Sequence, residues 1–180
     1  MSAVSNLATT KKKITLKDLQ NKKAQGHQIV ALTAYDYSFA KSLDAGGVDL
    51  ILVGDSLGMV VLGHETTLSV NMDEMLHHCK AVARGTQRAF LVGDMPFLSY
   101  QVDVHEAVRN AGRFLSEAGM NSVKLEGGFH MESTVRAIVR AGIPVMGHIG
   151  LMPQSVHQIG GYRIQGNTAS KARSLLEDAL

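Results

Sequence analysis

The chain has 180 residues, 45% hydrophobic and 19% charged, the balance of one globular domain with a real core rather than a disordered polymer. A net charge of +2 with His neutral is too small for a nucleic-acid footprint, and no apolar stretch approaches the ~20 residues of a membrane span. The single cysteine, Cys79, excludes an internal disulfide and a Cys-rich zinc site, so a reducing, cytoplasmic setting is expected.

Residues 1–15 read as a flexible polar tail and residues 16–180 as part of one domain. Most of the basic excess sits early, in Lys11, Lys12, Lys13, Lys17, Lys22 and Lys23. A solvated run explains it better than a mitochondrial transit peptide, because the segment lacks Arg and has no apolar stripe before Ile14. Leu16 and Leu19 suit a short helix ended by Gly26. A pattern then repeats, in which an apolar run ends at a polar residue and a helical stretch closes on Gly. The runs are 28–33, 48–53 ending at Asp55, 89–92 ending at Asp94, 122–125 ending at Glu126, and 144–147 ending at His148. The helices are expected over 38–45, 72–84, 104–118 and 131–141, with a last one from about Ala169. The segments 56–71 and 149–168 read as loops.

Short near-continuous apolar strands alternating with amphipathic helices are the signature of a parallel sheet buried on both faces. Right-handed crossovers place every strand's C-terminal end on one side, the rim where ligands bind in such sheets. Asp55, Asp94, Lys124, Glu126 and His148 all fall at or just past strand ends. Five βα units are visible, and periodicity alone does not choose between a barrel and an open sheet.

Three carboxylates from three strands, Asp55, Asp94 and Glu126, form a hard-oxygen set suited to Mg²⁺ or Mn²⁺. Carboxylates at strand ends also serve as helix N-caps, and that reading stands beside the first. Lys124 and Glu126 share side-chain parity, so both can face the same interior. A buried lysine needs an anionic partner, which a substrate carboxylate or Glu126 itself would supply. His148 either donates to a substrate oxygen or is a satisfied core histidine. Cys79 and the nine methionines read as core filler, and the remaining histidines as loop and helix residues rather than ligands. Gly54-Asp-Ser-Leu-Gly58 lacks the lysine of a phosphate loop and the glycine spacing of a dinucleotide site.

Six phrases in order are more specific than any single motif: Thr33-Ala-Tyr-Asp-Tyr-Ser38, Val53-Gly-Asp-Ser-Leu-Gly-Met59, Gly93-Asp-Met-Pro-Phe97, Val123-Lys-Leu-Glu-Gly-Gly128, Gly147-His-Ile-Gly-Leu-Met-Pro-Gln-Ser155 and Gly160-Gly-Tyr-Arg-Ile-Gln-Gly166. From about Leu16 onward the chain resembles the ketopantoate hydroxymethyltransferase family. The resemblance implies an α/β fold, the (β/α)₈ TIM barrel of the phosphoenolpyruvate/pyruvate superfamily, with its first five βα units and a following helix present here. It implies a homodecamer built from pentameric rings. It also implies hydroxymethyl transfer from 5,10-methylenetetrahydrofolate to 3-methyl-2-oxobutanoate, giving 2-dehydropantoate for pantothenate synthesis through a Mg²⁺-stabilised enolate.

Carried over motif by motif, Asp55 and Asp94 match the family's metal-binding aspartates and also bear on the substrate. Glu126 matches the acidic group in the metal's coordination sphere, directly or through water. Ser56 and Lys124 match the groups holding the oxo-acid carboxylate, and His148 lies by the reacting end. The family's general base is a glutamate at the end of the sixth strand, so it is expected just beyond residue 180, with strands six to eight. A sequence covering part of a longer protein is the preferred explanation, ahead of a split barrel or a true fragment, and the 180 residues alone are expected to be inactive. An isocitrate-lyase-like enzyme would share the metal rim but should carry a lyase-type cysteine motif, which Cys79 does not supply. A non-catalytic oxo-acid or metal-binding barrel remnant is the rival from another class.

Overall fold

Side chains alternate across each apolar run, so every strand offers two faces, and the computed structural model, which describes residues 12–180, shows what covers them. Five strands, β1 (Ala31–Thr33), β2 (Leu50–Val53), β3 (Phe90–Asp94), β4 (Ser122–Glu126) and β5 (Val145–His148), form one all-parallel sheet in sequential order. The connections carry helices α2 (Tyr37–Gly46), α3 (Leu57–Val60), α4 (Met72–Gly85), α5 (Val104–Ser116) and α6 (Glu132–Arg140). Helix α1 (Leu16–Ala24) precedes the sheet, and α7 (Val156–Ile159) and α8 (Ala169–Ala179) follow it. Strand order that never reverses is barrel winding. A doubly wound sheet would turn back at a switch point.

One parity faces the helices. Ile51, Val53, Leu91, Val123 and Leu125 pack with Met75, Cys79 and Val82 of α4, Ala111 and Phe114 of α5, and Ile138 of α6. Cys79 is fully buried there, and burial pushes its thiol far up, so it acts as a small apolar side chain. Gly93 has the same parity and lies against the Phe114 ring, where a Cβ would collide. The other parity faces the barrel interior, with Leu50, Phe90 and Val92 clustered with Leu19 of α1 and flanked by Ile14, Leu52 and Met146. Helix α1 therefore plugs the N-terminal mouth of the sheet.

Residues 1–11 of the expected tail lie outside the described residues. Within its last residues, Ile14 donates its backbone N–H to Arg88 at 2.8 Å, and Thr15 and Asp18 cap α1 reciprocally. The first strand is shorter than the apolar run that encodes it, and all three of its residues are exposed. Among the described residues it pairs on one side only, with β2. The segments read as loops contain α3, α7 and a 3₁₀ turn at Pro153–Ser155, all too short to show a helical period. Among the described residues no helix is long and apolar enough to cross a membrane.

Candidate active site

The interior parity of the strands changes chemistry along their length. Near the start it is apolar, and at the C-terminal end it becomes Asp94, Lys124, Glu126 and His148. Residues aligned across a parallel pair point the same way, and the register aligns Asp94 with Lys124 and Glu126 with His148. The two pairs follow directly. Lys124 Nζ donates to both carboxylate oxygens of Asp94, at 2.7 and 2.6 Å. His148 Nδ1 lies 3.4 Å from Glu126 Oε1 without a hydrogen bond between them, and both atoms are buried with no hydrogen-bond partner. Lys124 thus pairs with Asp94 rather than with Glu126, its same-strand neighbour.

Asp55 reaches the site from the turn after β2, where its backbone N–H donates to Asp94 Oδ2 at 3.2 Å. The three carboxylates are 4%, 2% and 5% exposed for Asp55, Asp94 and Glu126. Burial pushes the Asp94 carboxyl up to about 7, with Lys124 opposing and the Asp55 charge adding. Burial also raises Asp55, helped by Glu126 and opposed by Gln154 and Lys124. Ser56 turns its hydroxyl to Tyr35, 2.9 Å between the two oxygens, and the Tyr35 carbonyl lies 2.7 Å from His78 Nδ1.

Two residues that carry no motif signal of their own join the pairs into one network. Gln154 donates through Nε2 to Asp55 Oδ2 and to the Met95 carbonyl, both at 2.9 Å, and through its backbone N–H to Glu126 Oε2 at 3.1 Å. Its carbonyl accepts from the Tyr100 hydroxyl at 2.7 Å and from Gln101 Nε2 at 3.1 Å. Tyr100 in turn accepts the Glu126 backbone N–H at 3.0 Å. Burial pushes its phenol well above the ordinary range, and the nearby carboxylates add to that, so it stays a neutral donor. Gln154 lay inside a quoted phrase, and only its burial at the sheet's rim reveals its use.

The carboxylates suit a divalent cation in donor type and in charge. Three carboxylates and one ammonium leave an excess of two negative charges when all are ionised, and the buried Glu126 Oε1 is an acceptor without a donor. Among the described residues no three His, Cys, Asp or Glu side chains are drawn together closely enough to hold a metal ion. Lys124 engages both oxygens of Asp94, and the Gln154 amide takes one oxygen of Asp55.

A family model described as ketopantoate hydroxymethyltransferase matches residues 13–180. The chain is 58% identical over 165 residues to a 3-methyl-2-oxobutanoate hydroxymethyltransferase of Clostridium botulinum (strain Langeland), covering 92% of this chain and 60% of that protein. It is 54% identical over 174 residues to the protein of that name from Pelobacter propionicus, covering 97% and 64%. The chain thus spans about 60% of the length of these curated relatives. Among solved structures, a phosphonopyruvate hydrolase complex with oxalate and Mg²⁺ aligns with TM-score 0.65 at 12% identity, over 88% of this chain and 66% of that one. A 2,3-dimethylmalate lyase, a PEP mutase/isocitrate lyase superfamily member, aligns with TM-score 0.55 at 15% identity, over 73% and 51%. At such identity the likeness concerns the fold alone, an α/β barrel winding, with five strands among the described residues.

Proposed function

The chain belongs to the ketopantoate hydroxymethyltransferase family, a family of transferases, and from that premise we propose that it serves hydroxymethyl transfer to 3-methyl-2-oxobutanoate, giving 2-dehydropantoate. The observation that carries the reading is the set of three buried carboxylates at three successive strand ends, only one of them paired with a lysine. An isocitrate-lyase-like activity has only the fold in its favour.

Asp55, Asp94 and Glu126 would hold Mg²⁺. The ion, when bound, supplies Lewis-acid stabilisation of negative charge developing on the substrate's 2-oxo oxygen. Lys124 then has a second role open to it. With Asp94 turned to the cation, its ammonium becomes the donor for the substrate carboxylate, which fixes the oxo-acid's orientation. Ser56, one residue from Asp55, adds a hydroxyl donor on the same side. His148 stands at the strand end beside Glu126, where its ring can reach the reacting end of the substrate. The interior layer below the site is apolar, with Leu50, Phe90 and Val92 buried beneath the carboxylates. The one-carbon donor 5,10-methylenetetrahydrofolate, a glutamate base beyond Leu180, homodecameric assembly, a cytoplasmic location and a place in pantothenate synthesis belong to the same proposal and rest on the family resemblance.

Calorimetric titration of 3-methyl-2-oxobutanoate is the test. Binding is expected with Mg²⁺ present, to be lost without it, and to be lost in a folded Asp55→Ala/Asp94→Ala variant. Binding indifferent to Mg²⁺ and to both aspartates would overturn the reading. Deuterium exchange at C3 of the bound substrate, followed by NMR, locates the base. No exchange is expected from this chain alone, and Mg²⁺-dependent exchange would put the base within residues 1–180.

A further inference from the structure

Gln154 lies in the turn after β5, yet it reaches across the rim to groups at the ends of β2, β3 and β4. Its side-chain amide meets Asp55 and the Met95 carbonyl, and its backbone N–H meets Glu126. It is 4% exposed. The chemistry of its neighbours dictates which way the amide faces. The Met95 carbonyl and an ionised Asp55 can only accept, so the NH₂ must point to them. The Tyr100 hydroxyl and the Gln101 amide then donate to the carbonyl on the other side. Pro153 opens the 3₁₀ turn that carries Gln154 and restricts its backbone.

The consequence concerns which carboxylate oxygens stay free. Gln154 engages Oδ2 of Asp55 and Oε2 of Glu126, and it makes no bond to the second oxygen of either. On Glu126 that second oxygen is the buried atom without a hydrogen-bond partner. A neutral amide can do this without adding charge to a site already rich in carboxylate. It locks each rotamer and leaves each anion available.

We propose that Gln154 is a positioning residue of this site, held by Tyr100 and Gln101, which orients the Asp55 and Glu126 carboxylates for a divalent cation. The inference rests on the Mg²⁺ reading given above. Partners that orient ligating carboxylates typically change metal affinity 10–100-fold when removed.

Mn²⁺ serves as the probe, because it takes the same oxygen ligands and its free form is counted by electron paramagnetic resonance. The unsubstituted chain, Gln154→Leu and Tyr100→Phe would each be titrated with Mn²⁺ well below their melting temperatures, and thermal unfolding recorded alongside. Gln154→Leu is expected to weaken Mn²⁺ binding about 10-fold or more, and Tyr100→Phe by less, about 3-fold, since it leaves the amide in place and removes the hydroxyl that orients it and accepts the Glu126 N–H. Variants that lose thermal stability but bind Mn²⁺ as the unsubstituted chain does would overturn the inference and leave Gln154 a structural residue. Should Gln154→Leu fail to fold, Tyr100→Phe decides in the same way. An unsubstituted chain that binds no Mn²⁺ would overturn the metal reading itself, and the inference with it.

Discussion

Asp49, at the start of β2, is 2% exposed and answers several needs with one side chain. Its carboxylate accepts the Val30 N–H at 3.0 Å and Lys22 Nζ at 2.7 Å, with Arg88 Nη2 at 3.6 Å. Burial alone would raise its pKa, but the Lys22 bond, the Val30 N–H and the two cationic charges together hold it below the usual 3.8. A lowered folded-state value means stabilisation that is present above the unfolded value and lost as pH falls through the folded one. Asp49→Asn should cost about 1–3 kcal/mol in urea unfolding at pH 7, and the gap should shrink below about pH 4. An equal cost at pH 3 and pH 7 would show that the charge contributes nothing. Nothing in the sequence marked Asp49. Nor did it mark Asp44, whose carboxylate accepts the backbone N–H groups of Gln87, Arg88 and Ala89 ahead of β3. Both serve backbone donors distant in the chain, which no local spacing reveals. Lys124 and Glu126 were legible because two residues on one strand share a face whatever the fold.

Helix α1 shows how an element weak on its own becomes part of the core. It is nine residues long and mostly polar, and only Leu19 among its residues is buried. That one side chain touches the interior layer of Leu50, Phe90 and Val92. Leu19→Ala should destabilise the chain by about 2–4 kcal/mol in urea, through lost burial and the cavity left at the sheet's mouth. A change under about 0.5 kcal/mol would mean that α1 only rests on the surface. The central strands and long helices were readable from apolar runs and Gly stops, because burial on both faces leaves no polar position in β2 and none in β3 before Asp94 at its rim end. The four-residue helices α3 and α7 were not, since one turn carries no period. Yet these turns position the site, α3 following Asp55 and Ser56, and α7 following Gln154.

For the whole molecule, the edges of the sheet decide behaviour. Among the described residues β1 pairs only with β2 and β5 only with β4. Val30 and Leu32 at the β1 edge are 49% and 47% exposed. An unpaired apolar edge is a template for strand addition. The 180-residue chain is therefore expected to self-associate at micromolar concentration in sedimentation velocity, and Leu32→Lys to shift it toward the monomer. A chain that is monomeric without the substitution would show that something else covers this edge.

The sequence by itself determined the strands, their common direction and the side of the sheet on which the polar residues gather, because continuous apolar runs, Gly stops and right-handed crossovers follow from local chemistry. It also carried the family, through six phrases in order. Only the tertiary structure decided the pairing of Lys124 with Asp94 and the part played by Gln154. Strand register and a turn reaching across three strand ends depend on how distant segments pack, and that packing has no signature in the spacing of neighbouring residues.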